Sequence, residues 1–353
     1  MRRDPREDRR FASKALIATA IVVAVVLILL LARQVASVLL VVFAGVLVAV
    51  FLDGLAMVIE RLTGMRRGGA LAISIVLFFG FFAAAVWLVG PPVGTQIAKL
   101  AERLPGAIES VRGYLAEHEW GRSVVEWMPE TNQLLSMSTD VLKGVGGFFW
   151  SAAGLFINAV FVLFIGIYMA VSPAIYVDNF VRLFPIPRRR RIREVFTALG
   201  VALRWWLVGR VASMAVVGVL TALGLWIAGV PVPLALALIA ALMAFVPFLG
   251  PVLGAIPAIL VALAESPIKT LYVVLVFTIV QVLENYFITP LIQQRAVSMA
   301  PALLITVQIV MGILFGAMGV LLATPLAVVF IVVVQMLYIH DVLGDRMKLL
   351  GEK

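Results

Sequence analysis

Apolar side chains come in long blocks along this chain, and polar ones collect at the joints between the blocks. Runs at about 15–32, 35–52, 70–90 and 148–171 each approach the roughly 20 residues that an α-helix needs to cross a bilayer core of about 30 Å. The blocks then lengthen, with no Asp, Glu, Lys or Arg from Val211 to Ala264 or from Ala296 to His340. Helices without a polar face over such lengths belong in lipid. The pattern therefore predicts an all-α, polytopic integral membrane protein with about 6 to 8 transmembrane helices.

The second half is punctuated as well as apolar. A span at about 207–228 is followed by a segment, 231–263, that carries Pro247, Gly250 and Pro251. A span at 270–289 leads to another, 301–339, that carries Gly312, Gly316, Gly319 and Pro325. The two broken segments share an order: Pro233, Gly250 and Pro257 in one, Pro301, Gly316 and Pro325 in the other. At about 1.5 Å per residue each is too long for one straight span and awkward for two, so kinked spans and re-entrant hairpins both fit. Backbone groups freed by Pro and Gly survive at membrane depth only inside protein or along a wet cavity. Paired interrupted segments in corresponding positions are a pointer to a transporter's binding site.

Composition agrees, at 63% hydrophobic and 13% charged residues, against about 25% charged in soluble domains. The net charge of +9 sits in short joints, which is the distribution of a topology signal and not of a nucleic-acid patch. The 1–14 tail holds six basic residues, the 53–69 loop three and the 172–206 linker seven. These belong on the cytoplasmic side, with both termini, the second being the 341–353 tail. The acidic segment 91–147, with Ile97, Leu100, Leu104, Ile108 and Val111 at helical spacing, then falls outside as an amphipathic helix. This scheme places three spans in 15–90 and requires 15–52 to be a two-span hairpin turning at Arg33-Gln34. The fourth span is 148–171. In the linker, Arg188 to Arg191 and Arg193 lie opposite an Ile192, Val195, Phe196, Leu199, Leu203 stripe, so it is expected to lie in the interface up to Trp205 and Trp206. A transport core over 207–340 follows.

Candidate chemistry concentrates in that core. Glu284 and Asn285 stand in an apolar span with Gln281 one turn earlier and Thr289-Pro290 after. A carboxylate at membrane depth costs on the order of 2.5–3.5 kcal/mol, so Glu284 is either a proton, cation or substrate site, or else the member of a structural ion pair or a helix-end residue reaching the headgroups. Arg210 can be its partner, a snorkelling residue or an anion-binding group. The pairing requires 231–263 to return to the side it entered. Carbonyls freed at Pro247, Gly250 and Pro251 can coordinate a cation or polar solute, or simply form a hairpin tip. Gly312 and Gly316 have the spacing of close helix packing more than of a binding site, and Gln308, isolated in an apolar run, suits an interhelical hydrogen bond more than a ligand contact; Gly316 and Gln308 still count among the candidates for a substrate or ion pathway. The absence of Cys excludes disulfide and thiolate chemistry. Two histidines cannot make a His-x-x-x-His site, and no P-loop or Gly-x-Ser-x-Gly occurs, so neither an enzyme nor a cofactor is expected.

The motifs Trp206-Leu207-Val208-Gly209-Arg210, Gly229-Val230-Pro231, Phe245 to Pro251, Glu284 to Pro290, and Gly316-Ala317-Met318-Gly319 to Ala323-Thr324-Pro325-Leu326 together resemble the autoinducer-2 exporter family. That resemblance implies a homo-oligomeric, multi-pass secondary transporter of the bacterial inner membrane. Family members are linked to export of a small quorum-sensing furanone, and others have been proposed as sodium/proton antiporters. Gly209-Arg210 stands where the family commonly has Gly-Gln, which puts the same ligand in doubt. Two readings remain at this point. One is a transporter of a small polar solute coupled to a proton or sodium gradient, with a cation/proton antiporter as its variant. The other is a channel-like or scaffold membrane protein whose breaks serve oligomer packing.

Overall fold

The computed structural model describes residues 5–85, 87, 152–288 and 299–345. The expected 91–147 helix, Thr289 and Pro290 lie outside them. The protein is an all-α polytopic membrane protein. Among the described residues there is no strand, and five helices are long and apolar enough to span, or six if a bent pair counts as one.

Helix α1 runs unbroken from Pro5 to Thr63. The expected two-span hairpin is not formed, because no Gly or Pro occurs between Pro5 and Gly45 and Arg33-Gln34 are good helix formers. At about 88 Å the helix greatly exceeds a bilayer core. A shared side for the tail and the 53–69 turn thus loses its basis. Helix α2 (Arg67–Ala85) folds back against α1, burying Ala49, Leu52, Ala56, Ala70, Leu71 and, from the next helix, Ala170. That helix, α3 (Ala152–Val171), runs parallel to α1. A Cβ on Gly45 would come within 2.8 Å of Ile165, and one on Gly166 within 2.8 Å of Val48, so both glycines are there to let the backbones close.

At Ser172 the chain bends by 88° into α4 (Pro173–Arg182). The expected interfacial helix and the following span are then one element, α5 (Ile186–Ile227). Asp178 pairs with Arg193 at 2.7 Å, tying α4 to α5. Asp53 holds Arg67 and Arg204 at 2.7 Å each. That pairing puts the α1–α2 turn and the basic start of α5 at one level of the structure.

The broken segments decide the rest. Helices α6 (Pro233–Met243) and α7 (Leu249–Glu265) are about 16 and 25 Å long at roughly 1.5 Å per residue, and they pack side by side. A Cβ on Gly254 would lie 2.9 Å from the Ala240 Cα, and one on Gly250 would strike the Met243 carbonyl. Helix α6 runs back along α5, where a Cβ on Gly218 would meet Ala241 at 3.0 Å, until Phe245 stacks edge-on against Trp206 with ring centroids 5.6 Å apart. Segment 231–263 is therefore a helical hairpin that starts and ends at the far end of α5 and carries its tip towards the basic end. Helix α8 (Pro267–Leu283) descends antiparallel to α5, with Val280 beside Val217, and ends in a π-helical turn at Glu284–Ile288.

Helix α9 (Pro301–Val333) is broken at Gly316, whose φ of 63° and ψ of −146° are open only to glycine. A Cβ on Gly312 would lie 2.9 Å from Val320, and one on Gly319 would strike the Met311 carbonyl. Residues eight apart in a continuous helix are about 12 Å apart along its axis, so the chain folds back here. The arm 317–333 packs Leu322, Val328 and Val332 against Leu203, Trp206 and Leu207 of α5, and Met299 joins the same cluster. Both broken segments are thus hairpins, entering from opposite ends of the fold.

Single cysteines test this arrangement directly, since the chain has none of its own. Cysteines at Met65 and Ser172 should react with an impermeant maleimide from one face of the membrane and a cysteine at Glu265 from the other. Labelling of positions 65 and 172 from opposite faces would sink the arrangement.

Candidate functional site

The hairpin tip, α5 and the end of α8 meet around two charges. Arg210 lies one turn past Trp206 on α5, and Glu284 closes α8 where the helix widens into its π turn. Their side chains are 12% and 5% exposed, and Arg210 Nη1 approaches Glu284 Oε1 at 3.5 Å. Ser213, one turn further along α5, donates its hydroxyl to the same carboxylate oxygen at 2.7 Å. The guanidinium also donates through Nε to the Phe245 carbonyl at the tip, at 3.0 Å. From the second hairpin, Gln308 Nε2 donates to the Pro247 carbonyl at 3.0 Å.

These contacts explain how the tip exists in an apolar setting. The turn leaves carbonyls beyond the reach of helical amides, and an unmet carbonyl there costs several kcal/mol. Gly250 N–H serves Val246 and Leu249 N–H serves Pro247. Arg210 serves Phe245, and Gln308 adds a second bond to Pro247. The carbonyls expected to stand open are therefore largely taken. The open valences belong to side chains: Arg210 Nη2, Glu284 Oε2 and Gln308 Oε1 are buried without a protein partner.

Of the sequence candidates, Arg210, Glu284, Gln308 and Pro247 converge. Gly250 serves closeness to α6, and Gly316 makes the second turn. Pro251 lies on the first turn of α7 just past the tip. Gln281 and Asn285 bond each other at 3.1 Å on an exposed face and stand apart from the cluster. Ser213 was missed, although its spacing of three residues from Arg210 puts both on one face of α5. The Phe245 carbonyl carries no side-chain signal and was unreadable.

The far end of the second hairpin is clasped separately. Arg191 grips Asp341 through two bonds of 2.9 and 2.8 Å and donates to the Met336 carbonyl. The Arg191 hydrogen bonds hold the Asp341 carboxyl below its usual range. Among the described residues no group of three or more His, Cys, Asp or Glu could hold a metal.

The family model for AI-2E family transporters matches residues 16–339, nearly the whole chain. The chain belongs to this family. The AI-2E match includes both hairpins and every residue of the buried cluster. Two Bacillus subtilis (strain 168) relatives, YrrI and YueF, are each 26% identical. YrrI aligns over 74% of this chain and 76% of its own, and YueF over 71% of each. MT0215 of Mycobacterium tuberculosis (strain CDC 1551 / Oshkosh) is 29% identical over 76% of this chain and 75% of its own. All three are named for transport, without a solute.

Proposed function

We propose that the protein is a secondary transporter of a small polar solute, with the Arg210–Glu284 cluster between the two hairpins as its translocation site and Glu284 as its coupling carboxylate. The observation that carries this reading is a buried ion pair with open polar valences, set against two broken helices at membrane depth. Intramembrane ionisable groups at such breaks are substrate or ion sites by default. A scaffold built for helix packing has no use for unmatched buried donors and acceptors, which cost about 1–3 kcal/mol each. The family resemblance makes the autoinducer-2 furanone the first solute to try, with a bacterial inner membrane as the setting and a homo-oligomer as the working form. Sodium replaces the proton as the coupling ion in the antiporter variant of the same reading.

Purified protein in liposomes tests it. An imposed pH or sodium gradient should drive the furanone above its equilibrium level, and Glu284→Gln should abolish the gradient dependence. Purely downhill flux would make the protein a channel. No flux of furanone, sodium or protons would leave the scaffold reading.

A further inference from the structure

We propose that the 244–248 tip of the first hairpin is a gate held by two clasps, Arg210 and Gln308, and that the charge on Glu284 decides whether the Arg210 clasp stays shut. This rests on the reading of Glu284 as the coupling carboxylate and adds the part that moves.

Two observations single out the tip. It is the one place where the hairpins, α5 and α8 are joined by polar contacts among the described residues, through Phe245 and Pro247 carbonyls. It is also strained, since Phe248 has a φ of 63° and a ψ of −51°, a conformation that a bulky residue keeps only where its surroundings impose it. Release of the two carbonyls removes what imposes it.

The Arg210 clasp depends on charge. The guanidinium spans Glu284 and the Phe245 carbonyl with two different nitrogens, so one group ties α8 to the tip. While Glu284 is ionised, the guanidinium is compensated and stays. Once a proton neutralises Glu284, an uncompensated cation is left in an apolar setting and is driven towards water, away from the carbonyl. Nothing else described can replace the lost charge. From α5, Glu284 faces Arg210 and the neutral Ser213; the segments 211–264 and 296–340, which supply both hairpins, hold no Asp, Glu, Lys or Arg. On its own element Glu284 has the amides Gln281 and Asn285, the exposed Tyr286, and Lys269, which lies roughly 22 Å away along the helix and reaches Glu265. His340 lies at the far end of the second hairpin, against Asp341. Gln308 cannot titrate, so its clasp sets a constant resistance.

The test reads the tip and not the solute. Leu249 is 40% exposed, and a cysteine there, in a chain with none of its own, reports access of a permeant maleimide. At one fixed pH, Glu284→Gln, whose amide carries no charge, should react on the order of tenfold faster than the chain carrying only the reporter. Gln308→Leu should raise the rate as well, and it leaves both charges in place should the charge variant fail to fold. A rate in Glu284→Gln no higher than that of the reporter chain, or no rise in Gln308→Leu, overturns the gate. Flux failure with a tip that opens in Glu284→Gln would instead remove the transport reading and leave the gate standing.

Discussion

Replacing Arg210 by Gln, or Glu284 by Gln, should each destabilise the protein by about 3–5 kcal/mol, and replacing both should recover most of that loss. Either single change strands a charge whose side chain is at most 12% exposed, among segments that hold no other charge to accept it. The Arg210 change also frees the Phe245 carbonyl, and the Glu284 change leaves Ser213 with a weaker acceptor. In the double variant two neutral amides face each other and can hydrogen-bond, so no ion is left in low dielectric. Transport coupling should not return, because no titratable group remains at the site. Thermal unfolding of the purified protein in detergent gives the three stabilities. Losses that simply add in the double variant would mean the two charges do not depend on each other, and the paired site would be wrong.

The hairpins themselves should fail when their glycines gain a methyl group. Gly250→Ala and Gly319→Ala each place a Cβ against a carbonyl of the facing arm, Met243 in the first hairpin and Met311 in the second. Backbone cannot yield as a flexible side chain can, so each should cost about 3 kcal/mol, near the upper end for overpacking. Gly200, inside α5 with nothing within 4 Å of a built Cβ, is the control. Gly200→Ala should be neutral or stabilise by up to about 1 kcal/mol through helix propensity. Unfolding of the three variants separates the cases: equal stability of Gly250→Ala and Gly200→Ala would show that α6 and α7 do not pack as described.

Much of this was legible beforehand because lipid is a severe solvent. Charge depletion from Val211 to Ala264 and from Ala296 to His340 left no soluble alternative, and Glu284 and Arg210 stood out as the deep charges of that half. Their meeting was conditional on one question, whether 231–263 crosses or returns, and hydropathy has no answer to it. The same weakness misplaced the start of the chain. Two apolar runs separated by Arg33-Gln34 read as two spans, yet no residue there can turn a helix, and α1 continues through them.

The sequence by itself determined a membrane protein of helices, the two breaks, and the scarce polar residues that any site would have to use, since each of these follows from what a bilayer tolerates residue by residue. The tertiary structure decided that both breaks are reversals, that Arg210, Ser213 and Glu284 share one point, and that side chains from α5 and the second hairpin take the tip carbonyls of the first. Those are contacts between segments 35 to 74 residues apart. They are fixed by how closely glycine lets backbones approach and by where a freed carbonyl finds a donor, which no local pattern records.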